Sequence, residues 1–290
     1  LPPESQEGAG REVMPAGTGA AGKRFLQSIL IPFVVLALWE GLARAGVINP
    51  LILPSPSKVV VRWWAYLKPF QSYDPAQGPY LSWLVSGELL HDAAASLFRV
   101  FVGFFIGGGL GLGLGLLMGV SNTVYRLMNP LVQILRPIPP IAFIPLAILW
   151  FGLGNPPAFF LISLGAFFPI LLNTIAGVRN VDSIYVRAAR NLGAKGSVMF
   201  RRVILPAAAP HILTGVRVGY GVSFIVVIVA EMIAVNSGLG YRILEAREFF
   251  WPDKIIAGMI TIGIIGLGID TLLNKLSNHL LRWHRSLESS

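Results

Sequence analysis

The chain has no cysteine, which excludes a disulfide framework, a thiolate metal site and a cysteine nucleophile. Charge is scarce as well. Asp, Glu, Lys and Arg make up 13% of the 290 residues, about half of the ~25% found in an ordinary soluble domain. So few charges cannot cover a water-facing surface, and a single soluble globular domain is excluded. Acids are the scarcer sign, 14 against 23 Lys and Arg, which leaves a net charge of +9. Catalytic signatures are missing too: there is no H-E-x-x-H, no G-x-S-x-G and no carboxylate pair at a useful spacing. The glycine-rich run 107–115 lacks the Lys and Ser/Thr of a phosphate loop, so it binds no ATP. The sequence therefore gives no support to an enzyme. What fills it is apolar, with 54% hydrophobic residues and a mean hydropathy of +0.67, values that also exclude a disordered chain.

A bilayer core takes about 20 apolar residues as helix. No charge occurs between Arg99 and Arg126, and 100–120 makes one clear span. Between Arg136 and Arg179 lie 42 residues without a charge, about 63 Å as one helix and twice a membrane. The turn Gly152-Leu-Gly-Asn-Pro-Pro157 divides them into spans at 139–151 with its flanks and 158–178. Further spans are 25–43 with Glu40, 212–235 with Glu231 and 255–274 with Asp270. The expectation is an all-α integral membrane protein of about six helices. Residues 1–22 read as a disordered tail, 23–283 as the transmembrane domain and 284–290 as a short second tail. Lys23-Arg24, the apolar run and Ala43-Arg44-Ala45 also resemble a secretory signal with its cleavage site; Trp39, Glu40 and an even span count favour a retained helix.

Orientation follows Lys and Arg in short loops. The stretch 179–202 holds six of them against Asp182 alone. Six crossings put it on the same side as both termini, which is then the cytoplasm. The positive charge is thus topogenic, and nucleic acid is not expected as a partner. Within this basic loop, Asp182 or Ser183 can cap a short helix that stops at Gly193. Tyr185, Ala188, Ala189 and Leu192 share one face of it, with Arg187 and Arg190 pointing away, and a second helical piece over 198–204 is stopped by Pro206. A face this small suits close docking to a partner protein better than anchoring in lipid. In span two, glycine recurs at 103, 107, 111, 115 and 119, a groove for close helix approach. Packing within the subunit is favoured there over a subunit interface.

The loop pattern Arg187-Ala-Ala-x3-Gly193-x9-Val203-x-Leu205-Pro206 resembles the "EAA" loop of ABC importer permeases, E-A-A-x3-G-x9-I-x-L-P, with Arg187 in place of Glu. The segments Ile144-Pro-Leu-Ala-Ile-Leu-Trp-Phe-Gly152, Phe168-Pro-Ile-Leu-Leu-Asn-Thr174, Ala230-Glu231, Asn236-Ser-Gly-Leu-Gly-Tyr241 and Ala246-Arg-Glu-Phe249 are similar to the nitrate/sulfonate/taurine/bicarbonate branch. The similarity is greatest to aliphatic-sulfonate and taurine permeases. The resemblance implies a type I importer of the bacterial inner membrane, with two permease copies on two cytoplasmic ATPase subunits that bind ATP and Mg. A periplasmic or lipid-tethered solute-binding protein would deliver the substrate. The coupling loop 179–206 lies between spans four and five. Through it, Tyr185, Arg187, Ala188, Ala189, Leu192, Gly193, Leu205 and Pro206 would carry ATPase closure to the spans. No cofactor is expected in this chain.

Charges inside membrane helices are costly and mark function by default. Glu231 is the strongest candidate for the translocation path or its gate. For an anionic substrate it repels rather than binds, which favours a gating or structural role. Arg217 is a positive charge available to an anion or to headgroups, and Asn173, Thr174 and Ser223 are polar groups able to meet substrate or another helix. Glu40 and Asp270 sit towards span ends, where snorkelling or capping suffices. A secondary transporter driven by an ion gradient is the alternative, although no clear internal repeat of the kind such folds carry is visible.

Overall fold

The computed structural model describes residues 18–69, 83 and 86–281, with side chains from Leu30 onward, and every regular element among them is helical. The chain divides into two compact units, Leu1–Lys58 and Val59–Ser290, within the stretch expected as one transmembrane domain. In the first unit α1 (Thr18–Arg44) contains the expected first span and begins inside the expected tail. The remainder of that tail and residues 284–290 lie outside the described residues. Glu40 accepts hydrogen bonds from the backbone N–H of Ser57 (3.0 Å) and from its Oγ (2.8 Å). It therefore caps the first turn of α2 (Pro56–Leu67), whose leading N–H groups have no partner within the helix.

Among the described residues of the second unit, four helices are long and apolar enough to cross a bilayer: α3 (Glu88–Val120), α6 (Asn155–Arg179), α8 (Gly196–Ala234) and α10 (Pro252–Leu280). The expected span at 139–151 is not a straight helix. A 3-10 turn, Pro140–Phe143, leads into α5 (Ile144–Phe151), and together they lie at 82° to α4 (Asn122–Leu135). Twelve residues reach only about 18 Å, so any crossing here is made by the bent pair. Prolines 137, 139 and 140 cause the bend, because each removes a backbone donor and disfavours helix in the residue before it. α5 ends at Gly152 (φ +74°), and α6 starts after Gly154 (φ +120°) with Pro156 and Pro157 in its first turn, where a missing N–H costs nothing. The connecting α7 (Ser183–Asn191) and α9 (Leu239–Glu248) lie outside the four long helices.

α6 forms the core, held between α3 and α8. Glycines set the spacing. A Cβ at Gly107 would fall on the Ser163 backbone, one at Gly111 would lie 2.7 Å from the Phe167 carbonyl oxygen, and one at Gly115 2.7 Å from Thr174 Cβ. On the other side, Gly215 faces Asn173 and Gly219 faces Ile170. The glycine groove is thus filled within the subunit. The opposite face of α3 leaves Phe101, Phe105, Leu110 and Leu117 exposed, an apolar surface suited to lipid or another subunit.

Gly107→Ala is expected to lower the thermal stability of the detergent-solubilised chain by about 1–3 kcal/mol through overpacking. Gly109→Ala and Gly113→Ala, which meet nothing within 4 Å, are expected to leave it unchanged or to raise it by up to about 1 kcal/mol.

Candidate functional site: a polar cluster and a docking helix

One face of α3 carries Asp92, Ser96 and Arg99, then Gly103 and Gly107, at helical spacing, and all five are buried. The expectation of a span beginning after Arg99 needs correcting: the helix starts at Glu88, and Arg99 is 4% exposed within it. Its guanidinium donates to Glu231 Oε1 at 2.6 Å, to the Ser237 carbonyl at 2.9 Å and Oγ at 2.6 Å, and to Asn155 Oδ1 at 2.7 Å. Glu231 is completely buried. Its other oxygen accepts from Ser96 Oγ (2.8 Å) and the Gly240 N–H (2.9 Å). A carboxylate here is tolerated only because each oxygen is bonded and the charge is matched.

The same cluster caps α9. The N–H groups of Gly238, Leu239 and Gly240 donate to Asp92, Ser96 and Glu231 at 3.0, 2.9 and 2.9 Å. Three orphan donors are thereby satisfied, and two negative charges sit at the positive end of the helix dipole. Gly238 has φ +103°, and a Cβ on it would strike the Glu231 carboxylate, so the chain can wrap Glu231 only with glycine there. Around this centre Arg242 bonds Asp92 (2.8 Å) and pairs with Glu88 and Glu245 (both 3.0 Å), while Tyr66 donates to Asp92 at 2.9 Å. Burial, and then the Asp92 charge, push the Tyr66 phenol far above its ordinary pKa, which keeps it a donor.

At the opposite end of the long helices, Asp182 caps α7 by accepting from the Ile184 N–H at 2.8 Å. Gly193 (φ +86°) ends the helix, with Gly193 N–H on the Arg190 carbonyl and Ala194 N–H on the Ala189 carbonyl, a Schellman arrangement. Tyr185, Ala188 and Leu192 are exposed, Leu192 at 88%, whereas Ala189 is half-buried beside Val186. Arg187 is exposed. The second expected helix does not stop at Pro206. Gly196–Met199 continues through a π turn, Phe200–Ile204, straight into the rest of α8. Leu205 and Pro206 open the α-helical part, where proline's missing N–H is tolerated.

The five candidates for the path are not brought together. Arg217, Ser223 and Glu231 spread over 14 positions of α8, about 21 Å. Arg217 is held by Asp270 through two bonds of 2.9 and 3.0 Å, so each is the other's partner. Ser223 donates to the Ile162 carbonyl (3.2 Å) and Asn173 to that of Pro169 (2.8 Å). Thr174 is buried against Gly115, and its hydroxyl has no hydrogen-bond partner among the described residues.

Residues 109–285 match the family described as the binding-protein-dependent transport system inner membrane component. The chain belongs to this family. It is 40% identical over 254 residues, 88% of this chain and 90% of the relative, to a putative aliphatic sulfonates transport permease protein of Escherichia coli. It is 39% identical over 267 residues (92% and 95%) to a putative ABC transporter permease protein of Methanocaldococcus jannaschii. A nitrate import permease protein of Leptolyngbya laminosa is 30% identical over 266 residues (91% and 90%). A chain of the inward-facing MetNI methionine ABC transporter has the same fold, with a TM-score of 0.58 at 20% identity over 68% of this chain and 97% of that one. The matched family is an inner membrane component of a transport system and the sequence relatives are named permease proteins, so this permease-family chain is a membrane component and not an enzyme.

Sequence reasoning singled out Glu231 in this permease and missed Arg99, Asp92, Ser96 and Arg242. The available signal was the spacing 92, 96, 99, 103, 107, which runs the glycine face on into polar residues. Arg99→Met strands a buried carboxylate and is expected to cost about 3–5 kcal/mol. Adding Glu231→Gln should restore part of that loss in a thermal-stability double-mutant cycle, whereas strictly additive losses would show that the two residues do not act as a pair.

Proposed function

We propose that this chain is the transmembrane permease subunit of an ATP-driven importer for a small anion. An organosulfonate of the taurine type is the preferred substrate, and nitrate or bicarbonate are the alternatives. The observation that carries the reading is α7: a capped helix with an exposed apolar face, set between two long helices of a permease-family chain. In this reading α7 is the coupling helix on the cytoplasmic side of the inner membrane, and both termini lie on that side. Two ATPase subunits bind ATP and Mg and dock against Tyr185, Ala188 and Leu192. A second permease copy completes the path, and a periplasmic or lipid-tethered solute-binding protein delivers the anion. The Arg99–Glu231 cluster then lies at the outer end as a structural part of the gate, where a compensated carboxylate neither binds nor strongly repels an anion. The relatives named for aliphatic sulfonates and nitrate support the substrate class.

Affinity purification of the tagged chain from its own membranes tests this reading. An ABC ATPase subunit is expected to co-purify in stoichiometric amount. Leu192→Asp, a change at an exposed position, is expected to weaken that association by about 2 kcal/mol, roughly 30-fold, while the chain still reaches the membrane. Uptake driven by an ion gradient, with no ATPase bound, would favour a secondary transporter instead.

A further inference from the structure

The two sides of α7 differ in chemistry. Away from the exposed apolar face, Arg187 and Arg190 join Arg179, from the last turn of α6, in lining a hollow of about 440 Å³. Its other walls include Gly119 near the end of α3, Asn122 at the start of α4 and Ile204. Among the described residues no carboxylate lines it. Asp182, nearest in sequence, is engaged in capping the helix. The Arg179 guanidinium lies over the Tyr125 ring at 4.1 Å, a contact that holds the side chain without neutralising its charge. Arg187 and Arg190 have no hydrogen bond or ion pair among the described residues. Membrane topology asks for positive charge in this loop, yet it does not ask that the charges converge. Lys195, Arg201 and Arg202 meet the same requirement and stay off the hollow.

Three arginines lining one space concentrate positive charge there, which an anion among them would offset, and planar guanidinium forks match phosphate oxygens. The walls come from the ends of α3 and α6 and the start of α4. These are the points where apolar helix gives way to polar chain, the depth of lipid headgroups. The hollow is far larger than a bare phosphate and has room for a phosphodiester with its glycerol.

We propose that the hollow formed by Arg179, Arg187 and Arg190 binds a phosphate-type oxyanion, carried by the headgroup of an anionic phospholipid or present as free phosphate. An occupant bridges α7 to the ends of α3 and α6, to which no side-chain hydrogen bond ties α7 among the described residues. The proposal rests on the membrane placement given above and not on the ATPase, so the two can fail separately.

The test uses the full chain in phosphatidylcholine nanodiscs with and without phosphatidylglycerol, with retained lipid counted by native mass spectrometry. The wild type is expected to retain phosphatidylglycerol in preference to phosphatidylcholine. Arg187→Gln/Arg190→Gln is expected to lose about tenfold in affinity per arginine. Arg201→Gln/Arg202→Gln removes the same charge away from the hollow and is expected to behave as wild type. Displacement of the lipid by inorganic phosphate, prevented by the Arg187→Gln/Arg190→Gln change, would assign the site to a free anion, and resistance to phosphate would assign it to the lipid. Equal loss in both double variants, or no preference of the wild type for phosphatidylglycerol and no effect of phosphate, would overturn the proposal.

Discussion

The close approach of α3 to α6, backbone against backbone, is the constraint on which the rest of the second unit depends. In lipid there is no hydrophobic gain from pairing two apolar helices, so association relies on packing and on interhelical polar contacts. Glycines 103, 107, 111 and 115 allow that packing by removing the atoms that would hold the helices apart. The same α3 face continues as Arg99, Ser96 and Asp92. Seating the glycines on α6 therefore also delivers a cation and two acceptors to Glu231 and the start of α9. A shift of one residue along α3 would turn the glycines off α6 and leave a buried carboxylate unpaired, so packing and electrostatics specify one register together.

The two ends of the helices are built on opposite principles. At the α9 end, side chains from α2, α3, α8 and α9 share one hydrogen-bonded network with every carboxylate oxygen of Glu231 and Asp92 engaged. At the α7 end the helix keeps its own caps and presents bulky apolar side chains outward. Segments with few buried contacts open at the lowest free-energy cost, which suits α7 to moving with a partner. The π turn at Phe200–Ile204 lies inside α8 and keeps its first turn, which follows α7 in the chain, continuous with the rest of that helix. A displacement of α7 can thus pass into a helix whose far end holds Glu231.

Much of this was legible in the sequence, because it depends on local spacing. Glycine every fourth residue, a cap at Asp182 or Ser183 and the Gly193 stop each follow from helix geometry, and the apolar runs follow from composition. The misses have physical causes of their own. Arg99 looked like a span boundary because charge is normally excluded from lipid, and only its partner 132 residues away makes its burial tolerable. The bend before α5 escaped because counting uncharged residues measures length and says nothing about direction. Arg217 and Asp270 were weighed separately, although they are bonded across 53 residues. Local periodicity cannot reveal such a pairing. Ser223 and Asn173 turned out to be bonded to backbone carbonyls, as polar groups in apolar surroundings generally must be.

The absence of native cysteine allows the central claim, that α7 is where an ATPase subunit engages this permease, to be tested by site-specific crosslinking. A single Leu192→Cys would be labelled with a reagent that joins a thiol-reactive group to a short photoreactive group, irradiated in native membranes, and the product identified by mass spectrometry. The account predicts a crosslink to an ABC ATPase subunit at this position and none from Phe250→Cys, an exposed site beyond the end of α9. Absence of the Leu192 crosslink while the ATPase remains bound, or its appearance from Phe250, would contradict it.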